Sequence, residues 1–179
     1  SSRRRRCNIF IIKFYEDFAK IYQEISENKF RLNGFYAFVL VCGEIREVQK
    51  IFESLWAIQV YNVNIIFKDE SGKVLIKTFM PFSIDNCNDT SPVLINEFKD
   101  GKFASEVDNF YPKKMRNLYG CSVRVAIAND DEPHVILRAQ NSTFYELSGL
   151  DMKILNTLAS RMNFQINFTY IGQVGFFLE

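Results

Sequence analysis

The chain has 179 residues, room for one ordinary domain or for a small domain and the start of a second. Apolar residues make up 47% and aromatic residues 15%, enough for a packed core and too much for a disordered chain. With 22 Lys and Arg against 21 Asp and Glu, the net charge of +1 sets up no overall field to attract a polyanion, which argues against nucleic acid as the partner.

The one basic cluster, the arginines at positions 3–6, stands at the extreme start and reads as a solvated tail. Residues 7–14 (CNIFIIKF) form an apolar run of strand length. Residues 16–26 then bring Phe18, Ile21, Tyr22 and Ile25 round at helical spacing. Asn33-Gly34 signals a turn, residues 35–42 (FYAFVLVC) a second buried strand, and residues 44–58 a second helix with Ile45, Val48, Phe52, Leu55 and Trp56 on its apolar face. Residues 63–67 and 74–79 flank the polar stretch 68–73, as in a hairpin. Helices between buried strands predict an α/β fold in which crossover helices cover a mostly parallel sheet, with the hairpin as an antiparallel edge.

The pattern then breaks: residues 85–92 and 109–120 read as irregular connections around a short segment at 93–103, the expected linker. Alternation returns at residues 121–128, where a second domain begins. Residues 129–148 read as a long polar loop. Residues 149–162 follow as a helix whose stripe Leu150, Ile154, Leu155, Leu158 and Met162 is expected in the core, with Ser148 and Asp151 at capping-box spacing. Residues 165–170 alternate as a strand with Asn167 facing outward.

Compartment signals agree with one another. Asn88, Asn141 and Asn167 each open an N-glycosylation triplet. The four cysteines include no C-x-x-C pair, which argues against zinc and thioredoxin-like chemistry, so no metal is expected. Cys87 and Cys121 lie in turn-rich or strand-edge surroundings, and a bridge between them would close a loop holding most of the irregular sequence. Cys7 and Cys42 lie in apolar strands and read as buried free thiols. His134 is the only histidine, and no G-x-S-x-G or H-E-x-x-H occurs, so no catalytic residue, enzyme activity or cofactor is expected. The longest apolar run, residues 35–42, falls far short of the ~20 residues that span a bilayer. Because the sequence starts on Ser1 without a leader and stops at Glu179 just after a strand, both ends are expected to be truncations.

From residue 117 onward the order is NLYGC, the strand VRVAIA, the acidic turn DDEPHVI, the helix SGLDMKILNTLASRMNF, the strand QINFTY and the turn IGQVGFF. This resembles the opening of the first ligand-binding segment of ionotropic glutamate receptors and, more closely, of the divergent insect ionotropic receptors, which share a clamshell with periplasmic binding proteins. Asp131-Glu132-Pro133-His134 and Gly149-Leu150-Asp151 match the family's acidic turn before Pro and an aromatic residue, and its helix start after Gly and Asp. The resemblance covers the last third of the chain at motif level, and residues 1–112 fit an amino-terminal α/β region in style and position only. It implies a layered amino-terminal α/β domain at 1–112, followed at 113–179 by the truncated start of a periplasmic-binding-protein-like lobe.

It further implies an extracellular ligand-sensing part of a ligand-gated cation channel used in chemosensation, at the plasma membrane through segments lying downstream. Its partners would be a small-molecule ligand and other subunits, a co-receptor among them, in a hetero-oligomer. Asp131 aligns with an acidic residue that reaches across the cleft in relatives, and Phe176 stands near an aromatic residue placed over the ligand. His134 replaces a common Tyr and could stack on a ligand or donate a hydrogen bond. For each of the three a bland role competes: a solvated turn carboxylate, core packing and an ordinary loop residue, respectively. A soluble clamshell binder and an amino-terminal subunit-assembly module are the rival functions.

Overall fold

In the computed structural model the described residues are 7–27, 34–41, 45–106, 110–127, 133–139 and 145–170. The chain divides into two compact units, one of Ser1–Pro81 with Asn88–Lys114, the other of Phe82–Cys87 with Met115–Glu179. The fold is mixed α/β with three helices among the described residues.

The first unit is built on a six-stranded sheet in the order β1 (Cys7–Ile12), β2 (Phe35–Leu40), β3 (Val63–Lys68), β4 (Val74–Thr78), β5 (Val93–Lys99) and β6 (Lys102–Phe103). Helix α1 (Glu16–Glu27) joins β1 to β2 and α2 (Ile45–Ala57) joins β2 to β3, so these three strands run parallel, as crossovers require. The β3/β4, β4/β5 and β5/β6 pairs are antiparallel. The sheet is therefore mixed rather than mostly parallel, and the short segment at 93–103, expected as part of a linker, is a hairpin that extends the sheet. Its strand signal is hidden because Val93, Leu94 and Phe98 are exposed and Asn96 is buried, the reverse of a usual core alternation.

Both helices contribute to one apolar cluster with alternate residues of the parallel strands. Ile12, Phe38, Leu40, Val63, Ile65 and Phe67 meet Phe18 and Ile25 of α1 and Val48, Ile51, Phe52 and Leu55 of α2. Aromatic rings lock the contact, with Phe18 edge-on to Phe38 at 6.0 Å and Phe52 against Phe79 at 5.1 Å. Ile45, placed on the apolar face by periodicity, is exposed at the first residue of α2.

Residues 110–114 form a strap that fastens to the ends of four strands. The Tyr111 hydroxyl donates to the Tyr36 carbonyl oxygen of β2 at 3.2 Å and lies 3.5 Å from Cys7 Sγ of β1. Asn64 Nδ2 of β3 donates to the Phe110 carbonyl at 2.9 Å. Lys114, only 4% exposed, donates from Nζ to the Tyr61 carbonyl at 2.6 Å and to the Thr78 hydroxyl at 2.7 Å, and its ammonium sits 4.2 Å from the centre of the Phe79 ring. Thr78 accepts this bond while donating its own proton to the Val63 carbonyl at 2.6 Å. Cys7, expected as a buried thiol, is an exposed free cysteine at the edge of the sheet, because the outward face of β1 has little above it. Cys42 lies outside the described residues.

Burial without a carboxylate partner in its hydrogen-bond set pushes the Lys114 amine down to about 7. Between that value and the ordinary lysine range the folded chain holds fewer protons than the unfolded one, so stability climbs as pH rises from about 7 toward 10, by up to about 1.4 kcal/mol per pH unit. Burial raises the Tyr36 and Tyr111 phenols, so their contribution falls away above the ordinary tyrosine range. Urea melts between pH 7 and 10 should give a steeper stability gain for the wild type than for Lys114→Met; equal slopes would show that the amine is not desolvated in the fold.

Candidate ligand site

In the second unit, β7 (Ser122–Ile127) and β10 (Gln165–Tyr170) pair in parallel, and α3 (Leu150–Met162) precedes β10. Within the stretch read as a polar loop, β8 (Ile136–Ala139) and β9 (Tyr145–Ser148) pair antiparallel. Ile136 stands opposite Ser148, so the hairpin register carries Pro133 and His134 up to Gly149 and Leu150. The two sequence places that carry the family resemblance are thereby brought together.

Backbone carbonyls, and not the Ser148 side chain, satisfy the first amides of α3. Leu150 N–H donates to the Pro133 carbonyl at 3.1 Å and Asp151 N–H to the His134 carbonyl at 3.0 Å, while the N-cap residue is Gly149 with no side-chain cap. Such close approach demands glycine: a Cβ at position 149 would run into the His134 carbonyl oxygen and lie 2.8 Å from its carbon, and the backbone φ is +109°. At the other end, Asn163 in the left-handed conformation closes the helix.

His134 Nδ1 lies 3.6 Å from Asp151 Oδ1, an ion pair when the ring is protonated, with both side chains more than half exposed. A carboxylate in the first turn also complements the helix dipole. Along the helix Asp151 borders a shallow apolar groove lined by Ile154, Leu155 and Leu158. The stripe expected in the core is thus largely at the surface: Leu150, Ile154 and Leu158 are exposed, and Met152 is the buried residue of α3. Met152 lies off the stripe by two positions from Leu150, so the buried face is turned away from the apolar residues that periodicity picked out.

A polar pair beside an apolar groove can orient a small molecule that has one charged or hydrogen-bonding end. Sequence reasoning identified His134 and missed Asp151 as its companion, since the residues are neighbours only through the β8/β9 pairing. Asp131 and Phe176 lie outside the described residues, as does Asn141. Asn88 and Asn167 are exposed, the latter on the face of β10 that also presents Gln165 and Thr169. A disulfide joins Cys87 to Cys121, tying residues 82–87 to the start of β7. Among the described residues no group of His, Cys, Asp and Glu is arranged to hold a metal ion. No helix among them is long and apolar enough to cross a membrane.

Comparison with protein families finds a match to the ionotropic receptor ligand-binding domain over residues 1–117. The matched stretch covers most of the chain and lies ahead of the segment that carries the motif-level resemblance. No curated protein and no solved structure matches.

Replacing Gly149 by Ala forces the His134 carbonyl away from the helix start and strains a positive φ, which should cost about 1–3 kcal/mol. Thermal and urea unfolding of Gly149→Ala checks this, and an unchanged midpoint would mean that the turn is not seated against the helix.

Proposed function

We propose that this chain, which belongs to the ionotropic receptor ligand-binding domain family, is the extracellular ligand-sensing part of a ligand-gated cation channel used in chemosensation. The observation that carries the reading is the family match across residues 1–117; the seating of the Pro133-His134 turn on the Gly149-Leu150-Asp151 helix start supports it independently. A receptor of this family has a ligand-sensing role, and its ligand is a small molecule.

In this reading residues 1–112 form a layered amino-terminal region, and residues 113–179 open a periplasmic-binding-protein-like lobe. Asp131, His134 and Phe176 are assigned to ligand contact, and the Asp151 carboxylate stands 3.6 Å from the His134 ring nitrogen. A ligand gripped by two lobes stabilises the closed state by the difference between its affinities for closed and open forms, and closure is what a gate can use. Other receptor subunits, including a co-receptor, complete the assembly. Membrane attachment comes through segments other than these residues. The bridge between Cys87 and Cys121 suits an oxidising, extracellular setting, where the exposed Asn88 and Asn167 accept glycans together with Asn141.

The test is electrical. The full receptor containing this sequence, expressed in a cell with co-receptor subunits, is exposed to a panel of small amines and carboxylic acids while membrane current is recorded. Ligand-evoked cation current is expected, with His134→Ala shifting the half-maximal concentration about tenfold, a loss of about 1.4 kcal/mol of binding. Surface expression without current to any ligand, with retained binding of one of them, would favour a binder that gates nothing. Separately, secreted protein treated with an N-glycosidase should lose mass, and Asn167→Gln should remove one glycan's worth; full-size wild type without glycan at that site rejects the assignment.

A further inference from the structure

The chain passes between its two compact units at 81/82, 87/88 and 114/115. Lys114 is the last residue of the first unit before the 114/115 crossing. Its amine is held by the Thr78 hydroxyl and lies over the Phe79 ring, and both of these residues stand just ahead of the 81/82 crossing. One side chain therefore fastens two exits from the first unit. The second unit has a fastening of its own on the same two arms, the disulfide between Cys87 and Cys121. That one is covalent, whereas the Lys114 fastening is made of two hydrogen bonds and can let go.

The partners of the amine are uncharged on every side. The turn before β3 presents the Tyr61 carbonyl and not its phenol, and β4 presents the Thr78 hydroxyl, whose own proton goes to the Val63 carbonyl. Residue 79 presents its ring, backed by Phe52 and Trp56 of α2. Of the charges next to these groups along the chain, Lys113 is exposed and the Lys77 ammonium lies over the Phe67 ring. No carboxylate of a described residue is among the partners of the amine. Two acceptors match the two N–H bonds of an uncharged amine. The third proton of an ammonium has the face of the Phe79 ring in place of water, a partner that offsets only part of the lost hydration.

We infer that Lys114 is a proton-operated clasp: the end of the strap stays docked on Thr78 and Phe79 while the amine is uncharged, and opens locally, with the sheet intact, when the amine takes up a proton. Opening releases residues 112–114 back to Tyr111, which keeps its own bond to β2, and so gives the 114/115 exit about 10 Å more free chain. The direction with pH follows from the two proton affinities. A detached amine titrates as an ordinary lysine, and the docked one is pushed down to about 7 by burial. The open population therefore falls about tenfold per pH unit as pH rises from roughly 7.5 to 9.5, and it levels off below about 7, where both forms are protonated. The inference does not depend on the ligand-gated reading.

Trypsin cleavage after Lys113, an exposed site on the strap, reads the opening. Rates at each pH are divided by those of a synthetic peptide of residues 110–118, so that the protease's own pH dependence cancels. Cleavage after Lys77 of β4 is the control, because that bond is reached only when the sheet unfolds. In the wild type the normalised rate after Lys113 should fall about tenfold per pH unit between roughly 7.5 and 9.5, and low urea should leave it unchanged. Lys114→Met keeps the Lys113 site and a side chain of similar length without the titrating group, and its profile should be flat. Should that variant not fold, the wild-type profile at Lys113 set against the one at Lys77 decides alone. A flat wild-type profile overturns the inference. So does cleavage after Lys113 that appears only together with cleavage after Lys77 and rises with urea in step with it, since the strap would then open only when the whole unit does.

Discussion

Much of the first unit depends on how residues 110–114 are held to the strand ends. Buried polar groups at the strand ends need partners once water is excluded. The strap supplies several: its Phe110 carbonyl accepts from the Asn64 side chain of β3, the Tyr111 hydroxyl donates to the Tyr36 carbonyl of β2 and lies beside the Cys7 sulfur of β1, and the Lys114 amine donates to the Tyr61 carbonyl and to the Thr78 hydroxyl at the end of β4. Burial among neutral acceptors disfavours protonation of the Lys114 amine, and leaving the amine without those acceptors is costly as well. Asn64 Oδ1 remains the one buried side-chain polar atom without a hydrogen bond among the described residues, which adds to the cost at the same spot.

The second unit is organised by constraints of a different kind, covalent and steric. The Cys87 to Cys121 bridge removes freedom from the unfolded chain and fixes residues 82–87 beside β7. Close by in the sequence, the Leu118 amide donates to the Met162 carbonyl and the Gly120 amide to the Asn163 carbonyl, so the entry to β7 is joined to the end of α3. At the opposite end of that helix, Gly149 permits the Pro133-His134 carbonyls to act as the cap. His134 is therefore placed by backbone geometry rather than by packing of its own ring. That leaves the imidazole and the Asp151 carboxylate exposed beside the apolar groove, where a ligand can reach them.

Among the described residues exposed apolar side chains group at three places, the α3 groove, the outward face of β1 and the β5/β6 hairpin with Val93, Leu94, Phe98 and Phe103. None of the three is a scatter of single residues, which is ordinary on a surface. A shallow groove lined by apolar side chains with a carboxylate at one end has the chemistry of a surface that can take the apolar part of a small molecule.

Period and punctuation in the sequence determined where most of the elements lie along the chain. Strands β1 to β4, helices α1 to α3 and strand β10 sit within a few residues of where alternation and helical spacing placed them. The pairing of Cys87 with Cys121 was also legible, from the turn-rich context of the two cysteines. Tertiary structure alone decided which faces were buried and which distant residues met. Helical periodicity finds a stripe but not what lies above it, so Leu150, Ile154 and Leu158 read as core and are surface. Strand pairing, a long-range interaction invisible to local pattern, made strands of residues 93–99 and 145–148 and set His134 beside Asp151. Lys114 is the clearest case: a lysine in a Pro-containing linker looks solvated along the chain. It is buried because the strand ends it satisfies come from positions 61 and 78, where no sequence window that contains residue 114 would reach.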